Sequence, residues 1–207
     1  MSEKLIVFDL DGTLNQTENY VVPAMRLALY QLGVKKFSEQ DILDTIGARD
    51  EDTIVKFFGD KAPEYEEKFF KKVDRYVEDN LHLYRPYYGV EKMLQTLRER
   101  GYSLAICSNA SRNYITKTIH RLQIESYFDY LQELVAGMTK ADTLGLLLNR
   151  VKPEAALMVG DRYFDRDAAA VNHIPFVGCS FGYGKFQELE GADYLIRSPM
   201  ELLKIAK

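Results

Sequence analysis

The sequence predicts an α/β protein: a parallel sheet covered by helices and interrupted, after its first strand, by an all-helical insertion. Three observations carry this. Apolar runs of strand length recur as Leu5-Ile6-Val7-Phe8, Ser103-Leu104-Ala105-Ile106-Cys107, Ala155-Ala156-Leu157-Met158-Val159 and Ile174-Pro175-Phe176-Val177-Gly178. Weaker runs lie at 131–135 and 194–196. Helical or loop segments separate each run from the next, the alternation expected of a parallel sheet. The stretch from about residue 15 to residue 84 has helical periodicity and no convincing strand.

The first run ends in Asp9-Leu10-Asp11-Gly12-Thr13. Residues i and i+2 of a strand project to one side, so Asp9 and Asp11 are expected to converge where the strand ends. The carboxyl ends of parallel strands are where open α/β sheets bind ligands. Like charges held this close need a cation, or one must be protonated. A metal-dependent phosphoryl site explains the pair economically.

In the insertion, Val21, Met25, Ala28, Leu29 and Leu32 follow a helical period that stops at Gly33. Pro23 must then lie in the first turn or kink the helix. Ile54, Phe57 and Phe58 end at Gly59, and Tyr65, Phe69, Val73, Tyr76 and Val77 form a further apolar stripe. The charges around that stripe read as its solvated face. Pro86 and Gly89 mark the return to the main domain. The expected division is therefore residues 1–14 and 85–207 for the α/β core, and 15–84 for the helical insertion.

Three more strand ends carry polar groups. The second strand is followed by Ser108-Asn109-Ala110-Ser111-Arg112-Asn113 and a helix with Ile115, Ile119 and Leu122 on one face. A hydroxyl and a helix N-terminus at a strand's carboxyl end suit an anion, although Ser and Asn also cap ordinary helices. Lys140 follows Thr139 at a helix start marked by Thr139-x-x-Asp142. A cation there opposes the helix dipole, which gives Lys140 a reason to be paired with anions elsewhere. Val159 is followed by Gly160-Asp161-Arg162-Tyr163-Phe164-Asp165. Its carboxylates serve either a ligand at the sheet edge or a turn and helix cap.

Composition bounds the remaining possibilities. The 207 residues are 46% hydrophobic and 28% charged, as in a soluble globular protein, and the net charge of −4 gives no reason to expect nucleic-acid or membrane binding. Cys107 and Cys179 each sit in an apolar run and read as buried, reduced thiols. His82, His120 and His173 show no metal-ligand spacing, which disfavours zinc. With no signal-peptide pattern or membrane-length apolar run, a cytoplasmic location is expected.

In combination the four segments are far more specific than any one. Asp-x-Asp-Gly-Thr, Ser after a strand, Lys at a helix start and Gly-Asp-x-x-x-Asp after a strand resemble the haloacid dehalogenase (HAD) superfamily over essentially the whole chain. The helical insertion, Gly182-Tyr183-Gly184 and Gly191-Ala192-Asp193-Tyr194 resemble its phosphoglycolate phosphatase and β-phosphoglucomutase branch. The resemblance implies a Rossmann-like three-layer sheet with a helical cap, and hydrolysis of a small phosphorylated metabolite through an aspartyl-phosphate. Asp9 would be the nucleophile and Asp11 the proton donor and acceptor. Mg²⁺ would be held by Asp9, the Asp11 backbone carbonyl and Asp161, with Asp165 close by. Ser108 and Lys140 would bind phosphoryl oxygens, and Thr13, Asn109 and Arg112 would lie on the substrate side. Arg49, in the loop Thr45-Ile46-Gly47-Ala48-Arg49-Asp50, is expected either to face an anionic substrate or to pair with the neighbouring acids.

The chain departs from the family pattern at Gln16, where Asp is frequent, at Ala141, where Pro is frequent, and at His173, where a Gly commonly ends the helix. An acidic Asp11 argues against the dehalogenases, which protonate no leaving alkoxide. The runner-up is a β-phosphoglucomutase-like phosphotransferase. The non-enzyme alternatives are a receiver-like protein and a phosphosugar-binding protein. The expected partner is a small phosphorylated metabolite, acted on by a monomer or weak homodimer.

Overall fold

The computed structural model describes residues 4–207, and these form two compact units, one of residues up to Asn15 and from Pro86 to Lys207, the other Gln16–Arg85. The first is an α/β unit. Its strands are β1 (Lys4–Phe8), β2 (Ser103–Cys107), β3 (Tyr130–Gln132), β4 (Ala155–Gly160), β5 (Phe176–Cys179) and β6 (Tyr194–Ile196). They make one sheet in the order β3-β2-β1-β4-β5-β6, and every neighbouring pair is parallel. β3 is shorter than the 131–135 run and begins one residue earlier.

Strand alternation sorts the core into two layers. Leu5 and Val7 of β1, Ala105 and Cys107 of β2 and Met158 of β4 bury one face. They pack on Leu144 and Leu147 of the helix Lys140–Val151 and on Ala168 and Ala169 of the helix Tyr163–Val171. On the other face Phe8 and Val159 line the same apolar crevice as Met93 of the helix Val90–Glu99. Phe8 also meets Phe128 edge to face, centroids 6.3 Å apart. Helices on both faces of a parallel sheet make the three-layer α/β fold that the sequence predicts. β1 is central: the chain builds outward to β2 and β3 on one side, then crosses to β4, β5 and β6 on the other. The switch of direction lies between β1 and β4, where Asp9 and Asp161 leave their strands.

The second unit contains α1 (Glu18–Gln31), α2 (Glu39–Leu43), α3 (Asp50–Phe58) and α4 (Ala62–Asp79), and none of its residues lies in a strand. Its core joins Met25, Ala28 and Leu29 of α1 to Ile42, Ile54 and Phe69. Phe69 is fully buried and meets both Phe58 and Phe70 edge to face. α1 ends where expected, with Gly33 at φ +86°. Pro23 lies in the second turn of α1 rather than the first, and has no N–H to offer the Asn19 carbonyl one turn back. In the α/β unit the helices are α5 (Val90–Glu99), α6 (Arg112–Arg121), α7 (Lys140–Val151), α8 (Tyr163–Val171) and α9 (Leu202–Ile205). No helix among the described residues is long and apolar enough to cross a membrane. Cys107 and Cys179 are free and buried.

Candidate active site

Asp9 continues the β1 ladder by one residue, its N–H donating to the Val159 carbonyl at 2.8 Å. Its side chain therefore falls on the same side as Leu5 and Val7, the side covered by α7 and α8. There Lys140 Nζ lies 2.6 Å from Asp9 Oδ1 and 2.6 Å from Asp165 Oδ1. All three side chains are buried. Thr139 caps α7 reciprocally with Asp142, which fixes Lys140 at the first helical position. Asp165, in the first turn of α8, uses Oδ2 to accept the Arg162 N–H at 3.0 Å and turns Oδ1 to the lysine.

Asp161 completes the cluster. Its Oδ2 accepts the Tyr183 N–H at 2.7 Å and its Oδ1 the Thr13 hydroxyl at 3.3 Å. Carboxylate oxygens of Asp9, Asp161 and Asp165 all lie within 4.8 Å of one another. Asp11 stands apart from this trio. β1 ends at Phe8, so the two-residue period does not carry through to Asp11. Its Oδ1 instead accepts from Tyr114 Oη at 2.8 Å and from Asn15 Nδ2 at 3.2 Å. Asp9 thus bonds the lysine and Asp11 the polar groups of α6 and of its own turn, while the Asp11 charge still acts on Asp9 across the strand end.

Glycines make room for the acids. A Cβ on Gly12 would stand 2.4 Å from Asp161 Oδ2, one on Gly182 2.3 Å from Asp161 Cβ, and one on Gly160 2.2 Å from Asp165 Cγ. Gly184 is tighter still, since its Cβ would lie 1.8 Å from the Asp161 carbonyl oxygen. The Gly182-Tyr183-Gly184 segment is thus a wall against Asp161, and its central N–H holds that carboxylate.

The other expected site residues are distributed less uniformly. Ser108 is buried at the end of β2, and its Oγ accepts the Ala110 N–H at 3.2 Å. Asn109 follows it, half-buried. The Thr13 hydroxyl donates to Asp161 Oδ1 at 3.3 Å, so in this arrangement it supports a carboxylate. Arg112 is half-exposed and reaches the Glu133 carboxylate at 3.1 Å and the Leu131 carbonyl. Its guanidinium thereby ties α6 to the chain around β3 rather than to the carboxylate cluster. In the helical unit Arg49 forks onto Asp52, Nε to Oδ2 at 2.9 Å and Nη2 to Oδ1 at 3.1 Å. That is the pairing with neighbouring acids that the sequence left open. Tyr114 is the residue that sequence reasoning passes over. Its signal is its place at the third position of the helix that follows a strand end, three residues after the Ser111 cap.

The electrostatics follow from burial. Desolvation is the main reason the Asp9 carboxyl is pushed up to about 7 from 3.8; Lys140 opposes the shift, and Asp165 and Asp11 add to it. Burial also pushes Asp161 well above the usual carboxylate range, with Asp9 and Asp165 adding repulsion and the Tyr183 N–H opposing. Burial alone would pull the Lys140 ammonium down, but Asp165 and Asp9 outweigh it and hold the group protonated. Two of the three buried carboxylates share the Lys140 ammonium, and the opposing charge of Arg162 does not keep the third, Asp161, from being raised. An oxygen-only donor set, short of cations and cradled by glycines, fits a hard divalent metal ion.

The fold and the site together define a doubly wound α/β protein with a carboxylate–lysine centre at its switch point. The chain belongs to the haloacid dehalogenase-like hydrolases, whose family model matches residues 6–179. It is 27% identical to a phosphoglycolate phosphatase of Aquifex aeolicus over 98% of this chain and 96% of that one. To a phosphoglycolate phosphatase of Synechococcus elongatus it is 29% identical over 96% and 95% of the two chains. Among solved structures, a haloacid dehalogenase-like hydrolase from Streptococcus pneumoniae superimposes with a TM-score of 0.87, covering 99% of each chain at 22% identity. At that identity the likeness shows the shared fold.

Proposed function

We propose that the protein is a Mg²⁺-dependent phosphatase that hydrolyses a small phosphorylated metabolite through an aspartyl-phosphate, in the manner of a phosphoglycolate phosphatase. The observation that supports this most is the Lys140 ammonium held between Asp9 and Asp165 at the switch point of the sheet. Lys140 fixes Asp9 Oδ1 and leaves Oδ2 to attack phosphorus. One ammonium proton goes to Asp9 Oδ1 and Asp165 Oδ1 pairs with the charge at 2.6 Å; a remaining proton serves a phosphoryl oxygen. As the Asp9 Oδ2–phosphorus bond forms, the bond from phosphorus to the leaving oxygen breaks and Asp11 gives that oxygen its proton. Water then attacks the phosphorus of the aspartyl-phosphate, passes its proton to Asp11 and frees phosphate and the Asp9 carboxylate. Ser108 offers its hydroxyl to a phosphoryl oxygen. Asp9, Asp161 and Asp165 would hold Mg²⁺, with the Asp11 backbone carbonyl as a further ligand; when bound, the ion offsets the charge of these acids and of the phosphoryl group. The two buried free thiols suit a reducing, cytoplasmic setting, with a monomer or weak homodimer as the working unit.

The test is phosphate release from phosphoglycolate, hexose phosphates, nucleoside monophosphates and pyrophosphate, with Mg²⁺ and with EDTA. Mg²⁺-dependent release from at least one of these is expected, and none from the Asp9→Asn protein. Transfer of the phosphoryl group to a second hydroxyl of the same sugar would identify a mutase instead. Tight binding of a phosphosugar without turnover would identify a binding protein.

A further inference from the structure

Asp11 is held by two donors from different parts of the chain, both on the same oxygen. Tyr114 Oη is 2.8 Å from Asp11 Oδ1, and Asn15 Nδ2 is 3.2 Å from it. Neither donor is loosely placed. Asn15 is fully buried, its N–H donates to the Leu10 carbonyl at 3.0 Å, and its own carbonyl accepts the Gly12 N–H at 3.0 Å. Tyr114 sits in the first turn of α6, where Ser111 caps the helix by accepting the Tyr114 N–H at 3.3 Å. Ile115 and Ile119 are buried and anchor the same helix.

A phenol has one proton to donate, and here it is directed at a carboxylate oxygen. With two N–H or O–H donors on Oδ1, a proton added to that oxygen would displace one of them. We propose that Tyr114 is a positioning residue for acid–base chemistry at Asp11: with Asn15 it occupies Oδ1 and turns Oδ2 to the leaving group, an inference that rests on the phosphatase reading above. The Tyr114 hydroxyl bonds the Asp11 carboxylate. It acts through the orientation of Asp11, so it matters in proportion to the need for a proton.

The test removes only the hydroxyl. Tyr114→Phe should lower kcat for an alkyl phosphate substrate about tenfold, the worth of one hydrogen bond to a charged group. KM, and turnover of p-nitrophenyl phosphate with its good leaving group, should stay within about twofold. In an Asp11→Asn background the same change should have no further effect, because a residue that acts through Asp11 has nothing left to orient. Equal losses on both substrates, or an additive loss in the double variant, would overturn the proposal. The contact itself is read without turnover. Asp11→Asn should shift the near-ultraviolet absorption of tyrosine in the wild-type background and not in the Tyr114→Phe background. A wild-type protein that releases phosphate from no ester refutes the phosphatase reading directly. A shift that persists without Tyr114 refutes the contact.

Discussion

Lys140 Nζ and Asp9 Oδ1 are 2.6 Å apart, although 131 residues separate them in the sequence. The pair explains an oddity of the chain, a cation at the wrong end of a helix dipole. Lys140 is placed there because the fold needs an ammonium between two buried acids, and the local cost is offset by Asp9 and Asp165. The acids still outnumber the cation, and this sets the pH behaviour.

Without divalent cations, stability should fall as pH rises. The folded chain keeps a proton on Asp9 up to about 7, whereas an ordinary aspartate loses it near 3.8. The contribution is complete below the ordinary value and is lost as pH climbs through the raised one. A few kcal/mol are at stake, at about 1.4 kcal/mol for each unit. Asp161, also raised, acts in the same direction. Mg²⁺ should therefore stabilise the protein more at pH 8 than at pH 5, as read by urea unfolding. In EDTA at pH 8, Asp9→Asn should be more stable than wild type by about 1–3 kcal/mol while losing at least roughly a thousandfold in turnover. A chelated wild type that gains stability between pH 5 and pH 8 would contradict the raised Asp9.

Asp11→Asn should discriminate between substrates. Loss of the proton donor should slow an alkyl phosphate by about a hundredfold or more and p-nitrophenyl phosphate far less. Comparing kcat/KM for the two esters checks this, and equal losses would remove Asp11 from the role of acid.

Gly184→Ala should damage the site from behind. The added Cβ meets a backbone carbonyl oxygen at 1.8 Å, an atom that cannot rotate aside. A cost of about 1–3 kcal/mol in stability is expected, with loss of activity as Asp161 is displaced. Wild-type unfolding and activity in this variant would show that the segment yields easily.

His173→Gly should be stabilising. His173 follows α8 at φ +55°, and the Ile174 N–H closes the helix end on the Ala169 carbonyl at 3.1 Å. Glycine takes up this left-handed position without the Cβ penalty, so a gain of about 0.5–1 kcal/mol is expected from thermal or urea unfolding. A loss would mean that the imidazole makes contacts worth more than the backbone strain.

The parts of the fold that were legible are those written in local pattern. The β1 run and its trailing acids, the capping box at Thr139 and the Gly33 and Gly59 stops all show themselves within a few residues. Thr139 and Asp142 bond reciprocally as their spacing suggests. α2 carries the same kind of signal in Ser38 and Asp41, but its five residues are too few to show a period. What stayed hidden was partner choice. Whether the Thr13 hydroxyl meets a ligand or Asp161, and whether Arg112 faces the strand ends or Glu133, depends on residues more than a hundred and about twenty positions away. Tyr114 has the same difficulty, since an aromatic on an amphipathic helix looks like core until the far strand brings Asp11 to it.

The central place of β1 has a consequence for the order in which the chain can be assembled during synthesis. Leu5 aligns with Ser103 on one side and with Ala156 on the other. The strand that bears Asp9 is made first, and both neighbours must be synthesised before its edges can be covered. Until then an apolar segment with open edges stays exposed, while the contiguous stretch 16–85 already has all its own helices. Such long-range pairing is slow and open to aggregation. The segment that leads into Asp9 is thus the one that waits longest for its partners.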